Sequence, residues 1–220
     1  MPELLAAVCI FIKKKLSDVL RKNSSIEEEL ELGELFRTDV KCEPGRVVLG
    51  GWSLKGGGDP KLATCFSFEI TPGQAPWLFK GSTHGSAWTS KSAELLASLV
   101  ALKLFNIPGE CPWRRSTHLL KCGGGTDNRS TGLLVQRCLS TKWLLMIILI
   151  DYLAFCETEG IGCRLDWRPR DTNVEADELT NGIFKSFDLS LRIKVRREDL
   201  HFPMIDLLMR FSESFSKRKI

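Results

Sequence analysis

The stretch that decides the fold is 35–70. It opens Leu35-Phe36-Arg37-Thr38-Asp39-Val40-Lys41 and breaks at Glu43-Pro44-Gly45. It resumes as Arg46-Val47-Val48-Leu49-Gly50-Gly51-Trp52-Ser53-Leu54 and turns again over Lys55–Pro60. It closes with Leu62–Ile70, stopped by Thr71-Pro72-Gly73. Short runs rich in β-branched and aromatic residues, separated by Gly- and Pro-bearing turns, read as three strands of an antiparallel meander.

Downstream the apolar period lengthens. Over Ser90–Phe105, Leu95, Leu99 and Leu102 share a stripe flanked by Leu96 and Val100, which predicts a helix capped by Thr89 or Ser90. Ser116–Cys122 reads as a fourth strand leading into Gly123-Gly124-Gly125. Thr131–Leu139 and Thr141–Glu157 read as helices, the second apolar on nearly every side. Cys163–Trp167 is a fifth, short strand and Asn173–Phe184 a last helix. Strands first, with helices interleaved later, predict an α/β domain: a mixed sheet covered by helices on its faces.

Upstream, Leu5, Val8, Ile12, Leu16 and Val19 recur at helical spacing within 4–22, and the acidic run Glu27–Glu34 reads as a solvated linker or helix face. Residues 1–34 are thus a helix and linker, 35–185 the domain, and 186–220 a basic amphipathic extension with Arg192, Lys194, Arg196, Arg197 and a Lys217-Arg218-Lys219 end. That extension is read as a solvated charged helix, with contact to a nucleic-acid backbone as the alternative.

The 220 residues are 43% hydrophobic and 26% charged, ordinary for a domain with a sizeable core, and the net charge of +4 is only mildly basic. Eight cysteines include no C-x-x-C pair, and His84, His118 and His201 stand far apart, which argues against zinc. Cysteines inside apolar runs read as small core residues of a protein kept in a reducing compartment, cytoplasm or nucleus. The run Leu4–Ile12 precedes its lysines, the reverse of a secretory signal. Trp143–Cys156 contains Asp151 and is too short to span a bilayer.

Four acids have positions from which such a sheet would bring them together: Asp39 late in the first strand, Glu94 near the start of the first helix, Asp127 just past the fourth strand, and Asp177 one turn into the last helix. Ser98 and Ala101, on the face of Glu94, are small enough to let that helix approach the sheet closely. Converging carboxylates suit a pair of hard cations ~4 Å apart, the arrangement that supports phosphodiester hydrolysis. Each acid alone has an ordinary reading: a turn acid, a helix-start acid, a cap and a surface acid.

The four motifs Arg37-Thr38-Asp39…Gly50-Gly51-Trp52, Ser92-Ala93-Glu94-Leu95, Thr126-Asp127-Asn128 and Asn173-Val174-Glu175-Ala176-Asp177-Glu178-Leu179, with the loop Trp167-Arg168-Pro169-Arg170-Asp171-Thr172-Asn173, resemble the ribonuclease H domain of retroelement reverse transcriptases. The resemblance covers Leu35 to Phe184, about two-thirds of the chain. It implies a ribonuclease H-like fold, with three antiparallel and two further parallel strands in a five-stranded sheet, the first and fourth being neighbours. It implies that Asp39, Glu94, Asp127 and Asp177 are catalytic metal ligands for two Mg2+ ions, Mn2+ being possible, in a nuclease cutting the RNA strand of RNA–DNA hybrids. Asn128, Arg129, Arg168 and Arg170 are then candidates for gripping the nucleic acid, with Arg170 pairing Asp171 or Glu175 as the plainer alternative for that residue. Residues 1–34 would be the tail of an upstream polymerase or connection region in a polyprotein. The loop lacks the histidine that cellular ribonucleases H often carry, which implies slower turnover. A catalytically inactive nucleic-acid-binding module of the same fold is the alternative, and a resolvase or integrase relative a third. The reading requires the four acids to share one pocket, with none on a remote surface and none tied to an arginine.

Overall fold

The computed structural model describes Cys9 and residues 29–79, 87–107, 119–196, 198, 200–207 and 210. Apart from Cys9, the helix read over 4–22 lies outside them, as do His84, His118, the fourth strand's first residues 116–118 and the Lys217-Arg218-Lys219 end.

Five strands form one sheet: β1 (Glu29–Glu43), β2 (Arg46–Ser53), β3 (Cys65–Ile70), β4 (Leu119–Thr126) and β5 (Ile161–Trp167), in the spatial order β3-β2-β1-β4-β5. The first three run antiparallel, and β4 and β5 continue parallel to β1. This is the expected five-stranded mixed sheet, with first and fourth strands adjacent. Four longer helices among the described residues accompany it, besides shorter pieces such as Pro76–Phe79: α1 (Ala87–Leu104), α2 (Arg129–Arg137), α3 (Trp143–Glu159) and α4 (Val174–Thr180). Directly opposed residues of paired strands share a face. Thr38, opposite Gly51, turns toward Ser98 of α1, whereas Asp39, opposite Gly50, turns toward Thr180 of α4. Helices therefore cover both faces.

Several boundaries differ from the sequence reading. β1 begins at Glu29, so most of the acidic run is strand. Gly33, at φ 72°, sits in a bulge where the register with β4 slips on either side of Glu34. The bulge turns Glu34 against Arg168 and Arg37. β4 continues through Gly123-Gly124-Gly125 instead of ending before them. A Cβ on Gly124 would stand 2.2 Å from the Phe36 ring, so these glycines serve close strand approach, not a turn. Residues 60–62 form a 3-10 turn capped by Asp59 ahead of β3. α1 is already helical at Ala87, before the proposed caps, and α2 begins at Arg129. α4 ends at Thr180, short of Phe184, because Asn181 folds its amide back onto Asp177 and Gly182 takes φ 71°.

The core joins the sheet to α1 and α3, with Leu95, Leu99, Leu102, Ile147, Ile148 and Tyr152 fully buried. The C-terminal extension is not simply a solvated helix. Leu200, Phe202, Met204 and Ile205 enter this core, and the buried Asp151 carboxylate accepts the backbone N–H groups of Met204 and Ile205 at 3.0 and 2.9 Å. Both sheet edges are covered as well. Ile193 N–H donates to Cys65 on β3, Tyr152 O–H donates to Cys163 on β5, and Gly132 of α2 lies against the Leu165 carbonyl. No helix among the described residues is long and apolar enough to cross a membrane.

Candidate metal centre

Asp39, Glu94 and Asp127 come from β1, α1 and the end of β4, and one carboxylate oxygen of each lies within 4.8 Å of the others. Local sequence explains each placement. Asp39 sits mid-strand opposite Gly50, where a Cβ would be 2.8 Å from Thr180 Cγ2; the glycine lets α4 press onto the sheet beside the acid. Glu94 is carried by a helix whose Ser98 and Ala101 are fully buried, and Ser98 Oγ meets Thr38 Oγ1 at 3.4 Å. Asp127 leaves β4 just before Asn128 caps α2.

The electrostatics are those of crowded, desolvated carboxylates. Burial first, then the Asp127 charge, with a smaller push from Asp177, raises Asp39 from the ordinary 3.8 to about 6, against hydrogen bonds from the Val40 backbone and Thr180. Burial, then Asp39 and Asp127, hold Glu94 well above its usual value, although Thr126 Oγ1 donates to its Oε2 at 3.1 Å. Asn173, itself buried, fixes the neighbouring backbone by donating to the Thr38 carbonyl at 3.0 Å.

Asp177 stands apart from the three. It is exposed, accepts from Asn181 Nδ2 at 3.1 Å, and lies outside the close group while remaining near enough to raise Asp39. Asp127 is bonded to an arginine: Arg170 Nε donates to its Oδ2 at 2.9 Å. The strict requirement of four acids together and none paired with arginine is therefore not met in full. The Arg170 side chain is 90% exposed, however, and a pair of that kind holds by no more than about 1 kcal/mol. It is a latch on the rim of the site. Neither Asp171 nor Glu175 is its partner.

The other proposed nucleic-acid contacts separate. Asn128 Oδ1 accepts from Ser130 N and Ser130 Oγ, at 3.0 and 2.6 Å, and so serves as a helix cap. Arg168 places Nε and Nη2 on the two oxygens of Glu34, at 3.0 and 2.9 Å, a bidentate bond that ties the loop to β1; its fork is spent on structure. Arg129 stacks over the exposed Trp167 ring, 3.9 Å from its centroid. Sequence reasoning missed Glu34, read as part of a linker or helix face; Trp167, quoted in the loop motif but given no role, donates its indole Nε1–H to the Asp127 carbonyl at 3.0 Å. Trp52 is core, edge-on to Phe187.

No family model matches the chain, and no curated protein matches it. Among solved structures, it is similar to RNase H1 from the halophilic archaeon Halobacterium salinarum NRC-1, with 16% identity and a TM-score of 0.40, over 70% of this chain and 96% of that one. It is also similar to the N-terminal RNase H domain of rv2228c from Mycobacterium tuberculosis, with 13% identity and a TM-score of 0.44, over 70% and 92%. The chemistry of the centre rests on its own residues.

The donor set is all oxygen, and no lysine or histidine side chain is hydrogen-bonded to the three acids among the described residues. Buried carboxylates that repel one another and lack an interior countercharge fit a hard divalent cation such as Mg2+ or Mn2+, and not a soft one.

Proposed function

We propose that this chain is a divalent-metal-dependent nuclease of the ribonuclease H type, cutting the RNA strand of RNA–DNA hybrids. The observation that carries the reading is the meeting of Asp39, Glu94 and Asp127 from three separate elements at one buried point, in an order and local context that match the resemblance. Asp39, Glu94 and Asp127 would hold the cations, with Asp177 on α4 as the candidate fourth ligand. Bound cations would supply Lewis acidity toward water and the scissile phosphodiester. The chain's own contribution is positional. Thr126 orients Glu94, Thr180 and the Val40 amide orient Asp39, and the Arg168–Glu34 bond holds the loop that leads into α4. An A-form hybrid would be read by shape and 2′-hydroxyls, not base sequence.

We place the chain in a retroelement reverse transcriptase, downstream of a polymerase region, on the motif resemblance alone; an in-frame polymerase sequence upstream in the gene would support this, and an independent promoter directly before the first codon would remove it.

The deciding experiment is a Mg2+ titration with an end-labelled hybrid. Metal-dependent cleavage leaving 3′-hydroxyl and 5′-phosphate ends, abolished in Asp127→Asn, supports the nuclease. The Arg170 latch and the outlying Asp177 favour one second reading, a module that keeps the fold and binds nucleic acid without cutting. Binding with no cleavage at any Mg2+ or Mn2+ concentration would select it.

A further inference from the structure

Five arginines lie on β1 and β5 or just after β4 and β5, and their partners can be accounted for one by one. Arg37 and Arg168 share Glu34. Arg164 pairs with Asp166 at 2.9 Å and Glu31 at 3.7 Å. Arg170 pairs with Asp127. Arg129 alone of the five has no carboxylate or carbonyl partner among the described residues; its contact is the face of Trp167.

From this we propose that Arg129, seated over the Trp167 ring, is the phosphodiester anchor that holds the nucleic-acid strand against the acid cluster. The inference rests on the nuclease reading above and deepens it by assigning the backbone contact.

Three features support the assignment. A guanidinium stacked on an indole keeps its planar face covered and its N–H edge turned outward, which is the edge that grips a phosphate in a fork. The platform is also registered to the acid cluster. Trp167 Nε1 donates to the Asp127 carbonyl, and Arg129 follows Asp127 by two residues, so one indole touches both the acid's backbone and the guanidinium. Finally, three clustered carboxylates repel a polyanion, and a cation beside them offsets that repulsion at the approach to the site. Trp167 is 42% exposed, unusual for an indole at a strand end, and its ring has the neighbouring cation as cover on one side. A half-buried tryptophan with an incidental arginine would show the same stack but would not change how binding responds to salt.

The test uses the full chain carrying Asp127→Asn, so that binding is read without cleavage, and a short hybrid followed by fluorescence anisotropy over a salt series. Arg129→Ala should weaken binding about fivefold to tenfold and reduce the slope of log K against log salt by about one. Arg129→Lys should restore the slope but only part of the affinity, because a lysine keeps the charge without the fork. Trp167→Leu should lose affinity with a smaller change in slope, the charge remaining but no longer held. An Arg129→Ala slope equal to that of the parent overturns the anchor. If wild-type protein cleaves the hybrid and that slope is unchanged, the anchor alone falls. If wild-type protein neither binds nor cleaves, the nuclease reading falls and the anchor with it. Melting curves for each variant report that the fold is intact, which the exposure of Arg129 leads one to expect.

Discussion

Neutralising Asp39 should make the metal-free protein more stable while it disables the centre. Asp39 is raised from 3.8 to about 6 in the folded chain, so the folded state holds its proton more tightly than the unfolded state does. The sign follows from linkage. Between about pH 4 and 6 the native form binds more protons, and stability therefore falls as pH rises through that window, reaching its full penalty above the folded value. A shift of roughly two units corresponds to about 3 kcal/mol at pH 7.5. Asp39→Asn removes the charge but keeps an amide oxygen to accept from Val40 and Thr180, so about 1–3 kcal/mol should be recovered. For a chain of this size that amounts to roughly 3–10 °C in melting temperature. The assay is calorimetry in chelator at pH 7.5 and again at pH 4, where the advantage should vanish.

Added Mg2+ should invert the order. Wild-type protein gains about 2.7 kcal/mol at a hundredfold excess over Kd, and the variant, one ligand short, gains less. The refuting result is an Asp39→Asn protein that melts at or below wild type in chelator at pH 7.5. That would mean that neither burial nor the neighbouring carboxylates penalise the Asp39 charge, and the case for a cation centre would lose its physical basis.

Arg170→Ala should tighten Mg2+ binding up to about fivefold in titration calorimetry, since it removes a competitor for Asp127 that contributes less than about 1 kcal/mol; unchanged affinity would show that the latch is not set against the metal. Gly124→Ala should cost about 1–3 kcal/mol in urea unfolding, because its Cβ would enter the Phe36 ring; a neutral result would mean that β1 and β4 separate freely. Glu34→Gln, which strands Arg168 and Arg37 in half-buried positions, should cost about 1–2 kcal/mol and lower the cleavage rate through the loosened 168–173 loop, with KM little changed. Asp151→Ala should cost about 2 kcal/mol and speed proteolysis after residue 200, since it removes the acceptor for Met204 and Ile205.

What could be read from the chain alone was whatever short-range pattern determines. The β-branched and aromatic runs of 46–54 and 62–70, set off by turns, and the stripe of Leu95, Leu99 and Leu102 indicated element type and order, and the acids could be placed on their elements. What was missed depends on partners far along the chain. Glu34 looks like linker because the cation that makes it structural, Arg168, is 134 residues away. Gly123-Gly124-Gly125 has a turn's composition, and only the Phe36 ring packed against it explains a strand there. The C-terminal segment reads as a basic amphipathic helix in solvent, whereas Leu200, Phe202, Met204 and Ile205 reach the core once Asp151 caps the turn that carries them. The Arg170 latch also crosses 43 residues, and nothing within its own loop singles out Asp127 over Asp171 or Glu175.

The position of the acids follows from where the sheet changes character. β1 is the one strand paired antiparallel on one side and parallel on the other, so the β2 hairpin and the β4 crossover strand meet along it. Asp39 lies within that strand, Asp127 leaves the end of its parallel neighbour, and α1, returning from β3 to β4, crosses β1 and β2 with Glu94 on its inner face. Close approach from both sides is possible because small residues face each helix: Gly50 under α4, and Ser98 of α1 against Thr38. Enlarging either contact would move a carboxylate without touching one. Gly50→Ala should therefore reduce Mg2+ affinity along with stability, since its Cβ would push Thr180 and the Asp39 hydrogen bond outward. Loss of stability with full Mg2+ affinity would show that the packing of α4 and the geometry of the centre are independent.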